Sequence, residues 1–238
     1  MYGWRARVGL IVPSSNTTME EEFRRLMPHG VSLHVARMKL VNVTVEELFE
    51  MEKHALSAAS DLADANVNVI VYGCTSGSLV GGYGYDRKIA EEIENKLHIP
   101  VVTTAGAVIK ALKKLGVKKV ALATPYIDEV NAKEKAFLEA NGFEIVSVKG
   151  LGISSNLEIG KLRPEVAYKL GKEVDIPEAD GVFISCTNFR TIEIIDVLEK
   201  DIGKPVVTSN QATFWDVISE LRLGECVENL GRLFALKG

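Results

Sequence analysis

A chain of 238 residues, 47% hydrophobic and 25% charged, is long enough for one large core or two halves sharing an interface, and its composition excludes a disordered or fibrous chain. A net charge of −4 supplies no electrostatic reason to bind nucleic acid or an acidic membrane, and no apolar run approaches the roughly 18 residues of a membrane span. Three cysteines, an odd number with no CxxC or other metal-type spacing, disfavour a disulfide framework and a zinc site and leave free thiols for chemistry.

In chain order, residues 7–12 (RVGLIV) read as a buried strand. The apolar run before Pro13 is too short for a signal peptide, so a cytoplasmic protein is expected. The polar stretch from Ser14 to Thr18 can cap a helix whose first turn carries Glu20, Glu21 and Glu22, with Ser15 or Asn16 as the capping residue. Residues 31–39 alternate like a strand. Residues 45–65 keep helical periodicity throughout and read as one long helix, with Thr44 as N-cap and Glu47 completing a capping box. A strand over 67–72 leads into Gly73-Cys74-Thr75-Ser76-Gly77-Ser78, whose small residues let a ligand approach the backbone. The glycine-rich GGYGY (81–85) matches no nucleotide-binding pattern and reads as a flexible loop near the site, ahead of a helix. A strand (99–104) and a helix (105–115) stopped by Gly116 close the first half.

The second half begins with a strand over 119–123, a helix over 128–140 closed by Asn141-Gly142 and a strand over 143–149. An irregular polar loop (150–160) precedes a helix over 164–174 with Pro164 in its first turn. The buried run DGVFIS delivers Cys186-Thr187-Asn188. A helix (191–200), a strand (204–208) echoing IPVVT, and helices over 210–221 and 227–236 complete the chain.

Cys74 and Cys186 stand 112 residues apart, and the same offset relates Pro13 to Pro125. The chain therefore reads as two copies of one α/β unit, residues 1–116 and 117–209, with 210–238 packing back on the first. Alternating strands and helices predict two doubly wound, mainly parallel four-stranded sheets related by a pseudo-twofold, with the site in the cleft between them. Ligands of such sheets bind beyond the strand carboxyl ends, where both Cys-Thr loops fall. A thiol there, followed by hydroxyls and by amides that open a helix, has the parts of an activated nucleophile or acid/base, and the amides are expected to lower its pKa. Cys226 lacks this context and reads as structural. No GxSxG elbow is present, and His29, His34, His54 and His98 all lie in the first half without motif context. Paired thiols without a dedicated base suit one-proton chemistry beside a carboxylate, where donors hold an enediolate.

The segments VPSSNTTME, GCTSGS, TPY and SCTN, in this order and spacing, resemble the aspartate/glutamate racemase superfamily and, within it, most of all the maleate cis-trans isomerases, with the arylmalonate decarboxylases as near relatives. The similarity runs over nearly the whole chain. Racemases of that group tend to carry CNT and GCTH where this chain has CTSGS and CTNFR, and the decarboxylases generally lack the first cysteine, so both departures favour the isomerase branch. The resemblance implies that Cys74 adds to the alkene carbon of maleate and that Cys186 is the acid/base partner. It implies that Asn16, Tyr126 and Asn156 bind carboxylate, with the amides and hydroxyls around Thr75, Ser76, Thr187 and Asn188 completing two cradles. It also implies no cofactor or metal, a small dicarboxylate as the only ligand, and a homo-oligomer, dimer or higher. A racemase or arylmalonate-type decarboxylase, or a module that binds a small acid without turnover, stays open as an alternative.

Overall fold

A computed structural model describes residues 1–224 and 228–235. The first half runs β1 (Ala6–Pro13), α1 (Met19–Leu26), β2 (Val31–Met38), α2 (Val45–Glu52), α3 (Ala55–Ala63), β3 (Val69–Tyr72), α4 (Thr75–Leu79), α5 (Tyr85–Leu97), β4 (Val101–Thr103) and α6 (Thr104–Lys114). The second runs β5 (Lys119–Thr124), α7 (Asp128–Ala140), β6 (Glu144–Gly150), α8 (Asn156–Gly160), α9 (Pro164–Val174), β7 (Gly181–Ile184), α10 (Ile195–Ile202), β8 (Val206–Thr208) and α11 (Ser209–Glu220), and α12 (Gly231–Ala235) follows.

The duplication is visible in the sheets. Their orders are β2-β1-β3-β4 and β6-β5-β7-β8, every neighbouring pair parallel. Central strands of a sheet covered on both faces are apolar without alternation, and β3 and β7 are buried at every position. Leu10, Val71, Leu122 and Phe183 lie in this central layer, each at most 1% exposed. Burying one such side chain contributes roughly 1.5–3 kcal/mol. The layer thus fixes the carboxyl ends of β3 and β7, where the two cysteines emerge. Helix α11 packs against α6 and also touches β3, β4 and β8, whereas α12 lies against α10 and β8.

Several expectations need correction. The helix over 45–65 is two helices, because the amide of His54 bonds to the Met51 carbonyl three residues back and tightens the turn at Lys53-His54. Leu48, Met51, Ala55, Ala58 and Leu62 all remain buried across that break, so the apolar period does not reveal it. Thr44 does cap, its Oγ1 accepting from Glu47 N at 3.3 Å, but the Glu47 carboxylate accepts from the amides of Val41 and Asn42 instead of closing a box. The GGYGY stretch is a hydrogen-bonded turn, Gly82 N donating to Leu79 O and Tyr85 N to Gly82 O, that starts α5. Residues 150–160 contain α8, capped by Ser155 Oγ, which accepts from Glu158 N. The helix expected from 191 begins only at Ile195, since the Thr191 amide donates instead to Glu22 Oε1 of the first half at 3.1 Å. The last helix is the shorter α12, and Cys226, Val227 and Leu236 lie outside the described residues. Among the described residues no helix is long and apolar enough to cross a membrane.

Candidate active site

Each cysteine closes a buried strand, yet the two loops fold differently. Cys74 has an extended backbone and caps α4, its sulfur accepting from Gly77 N at 3.3 Å and lying 3.8 Å from Ser76 Oγ. A Cβ at Gly77 would stand 3.0 Å from that sulfur and 2.5 Å from Met51 Cε, so glycine here lets Met51 and the thiol pack against the backbone. Cys186 instead sits at φ +99°, a conformation that costs a side-chain-bearing residue about 1–3 kcal/mol and persists only where surroundings hold it. Its amide donates to Ser209 Oγ at 3.0 Å and its sulfur accepts from Asn188 N at 3.3 Å.

The other predicted site residues gather at the same interface between the halves. Asn16 Oδ1 accepts from the amides of Thr18 and Met19 at 3.0 and 2.9 Å, so the residue does shape the start of α1. Its Nδ2 also crosses to Thr187 Oγ1 at 3.1 Å. Thr187 Oγ1 in turn donates to the carbonyl of Gly73 beside the first cysteine. Asn188 accepts from Thr17 N at 2.8 Å and donates to Asn156 O at 2.7 Å, while Asn156 Nδ2 donates to Ser15 Oγ at 2.8 Å. Thr75 Oγ1 donates to Ser209 Oγ at 2.8 Å. All nine predicted residues are buried, the two cysteines at 4% exposure each. The expected cleft between the halves is therefore lined by buried residues. It is bordered by a strap in which Val43 N donates to Ser154 O and Asn156 N to Val41 O. Sequence shows which strand ends meet but not whether two halves close over them.

Burial dominates the electrostatics. It pushes the Cys74 thiol up to about 11 against the pull of the Gly77 amide and Ser76 hydroxyl, and the Cys186 thiol up to about 12 against Tyr126 and the Asn188 amide. Tyr126 rises as well, through burial and the neighbouring sulfur of Cys186. The helix-opening amides pull the thiols down as expected, but loss of water outweighs them. Below these pKa values the resting thiols are neutral. Iodoacetamide alkylation of the ligand-free protein should therefore speed up about tenfold per pH unit from pH 7 to 10, following the thiolate fraction. A rate already level at pH 8 would contradict this.

Sequence reading missed four polar residues that brace the site. Ser209 and Asn210 open α11, Asn210 Nδ2 donating both to Thr187 O at 3.1 Å and to Glu22 Oε2 at 2.6 Å. Buried Glu22, raised to about 7 by desolvation, ties α1 to both Asn210 and Thr191. Glu134 of α7, raised by burial to about 8, accepts from Ser185 Oγ at 2.6 Å directly before Cys186. The one available signal was the repeat IPVVTT against KPVVTS, which puts a hydroxyl after β4 and after β8. Among the described residues no three His, Cys, Asp or Glu side chains gather as a metal site.

Residues 8–234 match the family described as arylmalonate decarboxylase. A maleate isomerase of Geobacillus stearothermophilus is 31% identical, over 97% of this chain and 98% of that protein. The arylmalonate decarboxylase of Bordetella bronchiseptica is 28% identical, over 89% and 88%. A solved structure of the Nocardia farcinica maleate cis-trans isomerase, a Cys-to-Ser mutant with a covalently bound succinylcysteine intermediate, superposes with a TM-score of 0.93 at 30% identity, covering 96% of this chain and 98% of that one. With two thiols at equivalent strand ends and a match from β1 to α12, the chain belongs to the arylmalonate decarboxylase family.

Proposed function

We propose that this chain isomerises maleate to fumarate without a cofactor, by reversible addition of Cys74 to the double bond. The observation that carries the reading is the pair of buried thiols at one interface, each at the end of a central strand, with Thr187 beside Cys186 bonded to the Gly73 carbonyl beside Cys74. The succinylcysteine in the Nocardia farcinica relative supports the covalent step.

The chemistry balances once the Cys74 thiol has given its proton to bulk solvent before maleate binds. The Cys74 thiolate then bonds to C2, and the π pair moves to C3 and into the adjacent carboxylate as an enediolate. The Cys186 thiol protonates C3. The C2–C3 bond is now single and rotates. The Cys186 thiolate removes the C3 proton that rotation has turned toward it, the pair re-forms the double bond, and the C2–S bond breaks to release fumarate and the Cys74 thiolate, which begins the next cycle. Asn16, Tyr126 and Asn156 hold the carboxylate that becomes the enediolate, because neutral donors aimed at developing charge in a water-poor site stabilise a transition state more than a ground state. The hydroxyls and amides around Thr75, Ser76, Thr187 and Asn188 hold the other carboxylate. A cytoplasmic homo-oligomer, dimer or higher, belongs to the same reading.

Maleate incubated with the purified chain and no added cofactor should give the fumarate singlet by proton NMR. Unchanged maleate would end the proposal, and release of carbon dioxide from an arylmalonate instead would move the chain to the decarboxylase branch. Asn156→Ala should lower turnover by about 2–4 kcal/mol, the scale of one oxyanion donor, with KM and the thermal midpoint little changed. Steady-state kinetics and a circular-dichroism melt read both, and wild-type turnover would remove Asn156 from the cradle.

A further inference from the structure

Beyond the residues that face substrate, one hydroxyl reaches both thiol loops. Ser209 is wholly buried at the first position of α11. Its Oγ accepts from Thr75 Oγ1 at 2.8 Å, next to Cys74, and from the Cys186 amide at 3.0 Å. These two bonds use both lone pairs of the hydroxyl oxygen. They join the first loop, the second loop and the helix at one atom.

The Cys186 amide needs such a partner because of its backbone. At φ +99° it has left the strand geometry of β7, and a buried N–H without a partner is costly. Other contacts hold the rest of the turn: Ser185 N donates to Ala123 O, Phe189 N to Cys186 O, and Asn188 N to the sulfur. None of these satisfies the Cys186 amide.

The other half supplies an internal control. Thr104 follows β4 as Ser209 follows β8, but its Oγ1 donates to Tyr72 O within its own half. Cys74 there is extended at φ −147°, and its amide bonds to Tyr72 O without help from a side chain. The same position in the repeat thus serves a cysteine amide only where the cysteine is strained.

We infer that Ser209 is a positioning residue of the reaction: it holds Cys186 in its left-handed turn and sets it relative to the Cys74 loop through Thr75. The inference rests on the isomerase reading for its kinetic consequence, but its geometric content does not. Without the hydroxyl the Cys186 turn relaxes, the acid/base sulfur leaves C3, and the Cys74 sulfur keeps its own partners at Gly77 and Ser76.

The test compares wild type, Ser209→Ala and Ser209→Thr, the last because threonine occupies the matching position in the first half. Ser209→Ala should lower kcat by about 10- to 100-fold, a fraction of the roughly 10²–10⁴-fold that a positioned acid/base contributes, and leave KM within about twofold. Intact-protein mass spectrometry should find the succinyl adduct accumulating during turnover, and Ser209→Thr should recover most of kcat. Wild-type kcat in Ser209→Ala would overturn the inference. So would a loss accompanied by a lowered thermal midpoint, a raised KM and no adduct, which marks a merely structural role. If wild type itself leaves maleate unchanged, the isomerase reading fails, and the ratio of iodoacetamide labelling at Cys186 to that at Cys74 decides the inference by peptide mass spectrometry. A severalfold change in that ratio in Ser209→Ala supports it, and an unchanged ratio overturns it.

Discussion

Cys74→Ser is expected to cost on the order of 10⁴-fold or more in kcat/KM for maleate, the scale of losing a covalent nucleophile. Serine preserves shape at a position only 4% exposed, so the fold should be unaffected. What changes is ionisation. Even with burial raising it to about 11, the thiol reaches its anion several orders of magnitude more readily than an alcohol in the same site. The Gly77 amide that bonds the sulfur would bond a serine oxygen as well, but a neutral hydroxyl does not add to an alkene of a dianion. Steady-state kinetics by proton NMR, with a circular-dichroism spectrum as control, measures the loss. Activity within tenfold of wild type would rule out Cys74 as the attacking group.

Cys186→Ser is expected to lower kcat by about 10²–10⁴-fold, the contribution of a positioned acid/base, while leaving Cys74 competent to add. The asymmetry follows from the loops. Cys74 has an extended backbone followed by small residues, whereas Cys186 is held by the Asn188 amide in a strained turn. After incubation with maleate, intact-protein mass spectrometry should find a succinyl-sized increase on Cys186→Ser and none on Cys74→Ser. The opposite pattern would exchange the two roles.

The strongest features of the chain were legible because they are local or periodic. β3 and β7 read as buried strands because a sheet covered on both faces leaves no polar alternation, and α7 and α9 read to the residue because Asn141-Gly142 and Pro164 mark their ends chemically. The turn at Lys53-His54 was not legible, since a single tightened turn leaves the apolar stripe of α2 and α3 continuous. Nor was the delayed start of α10, because the competitor for the Thr191 amide is Glu22, a residue far earlier in the chain.

By itself the sequence determined the doubly wound architecture, the duplication and the placing of a thiol at each central strand end, since all three follow from side-chain period and from residue types at a fixed offset. The left-handed turn at Cys186, the Ser209 bridge between the two loops and the burial that pushes both thiols up came only with the folded chain. Strain, cross-half hydrogen bonds and desolvation depend on atoms brought together from distant parts of the chain, and a thiol's proton affinity is set by how much water those atoms exclude.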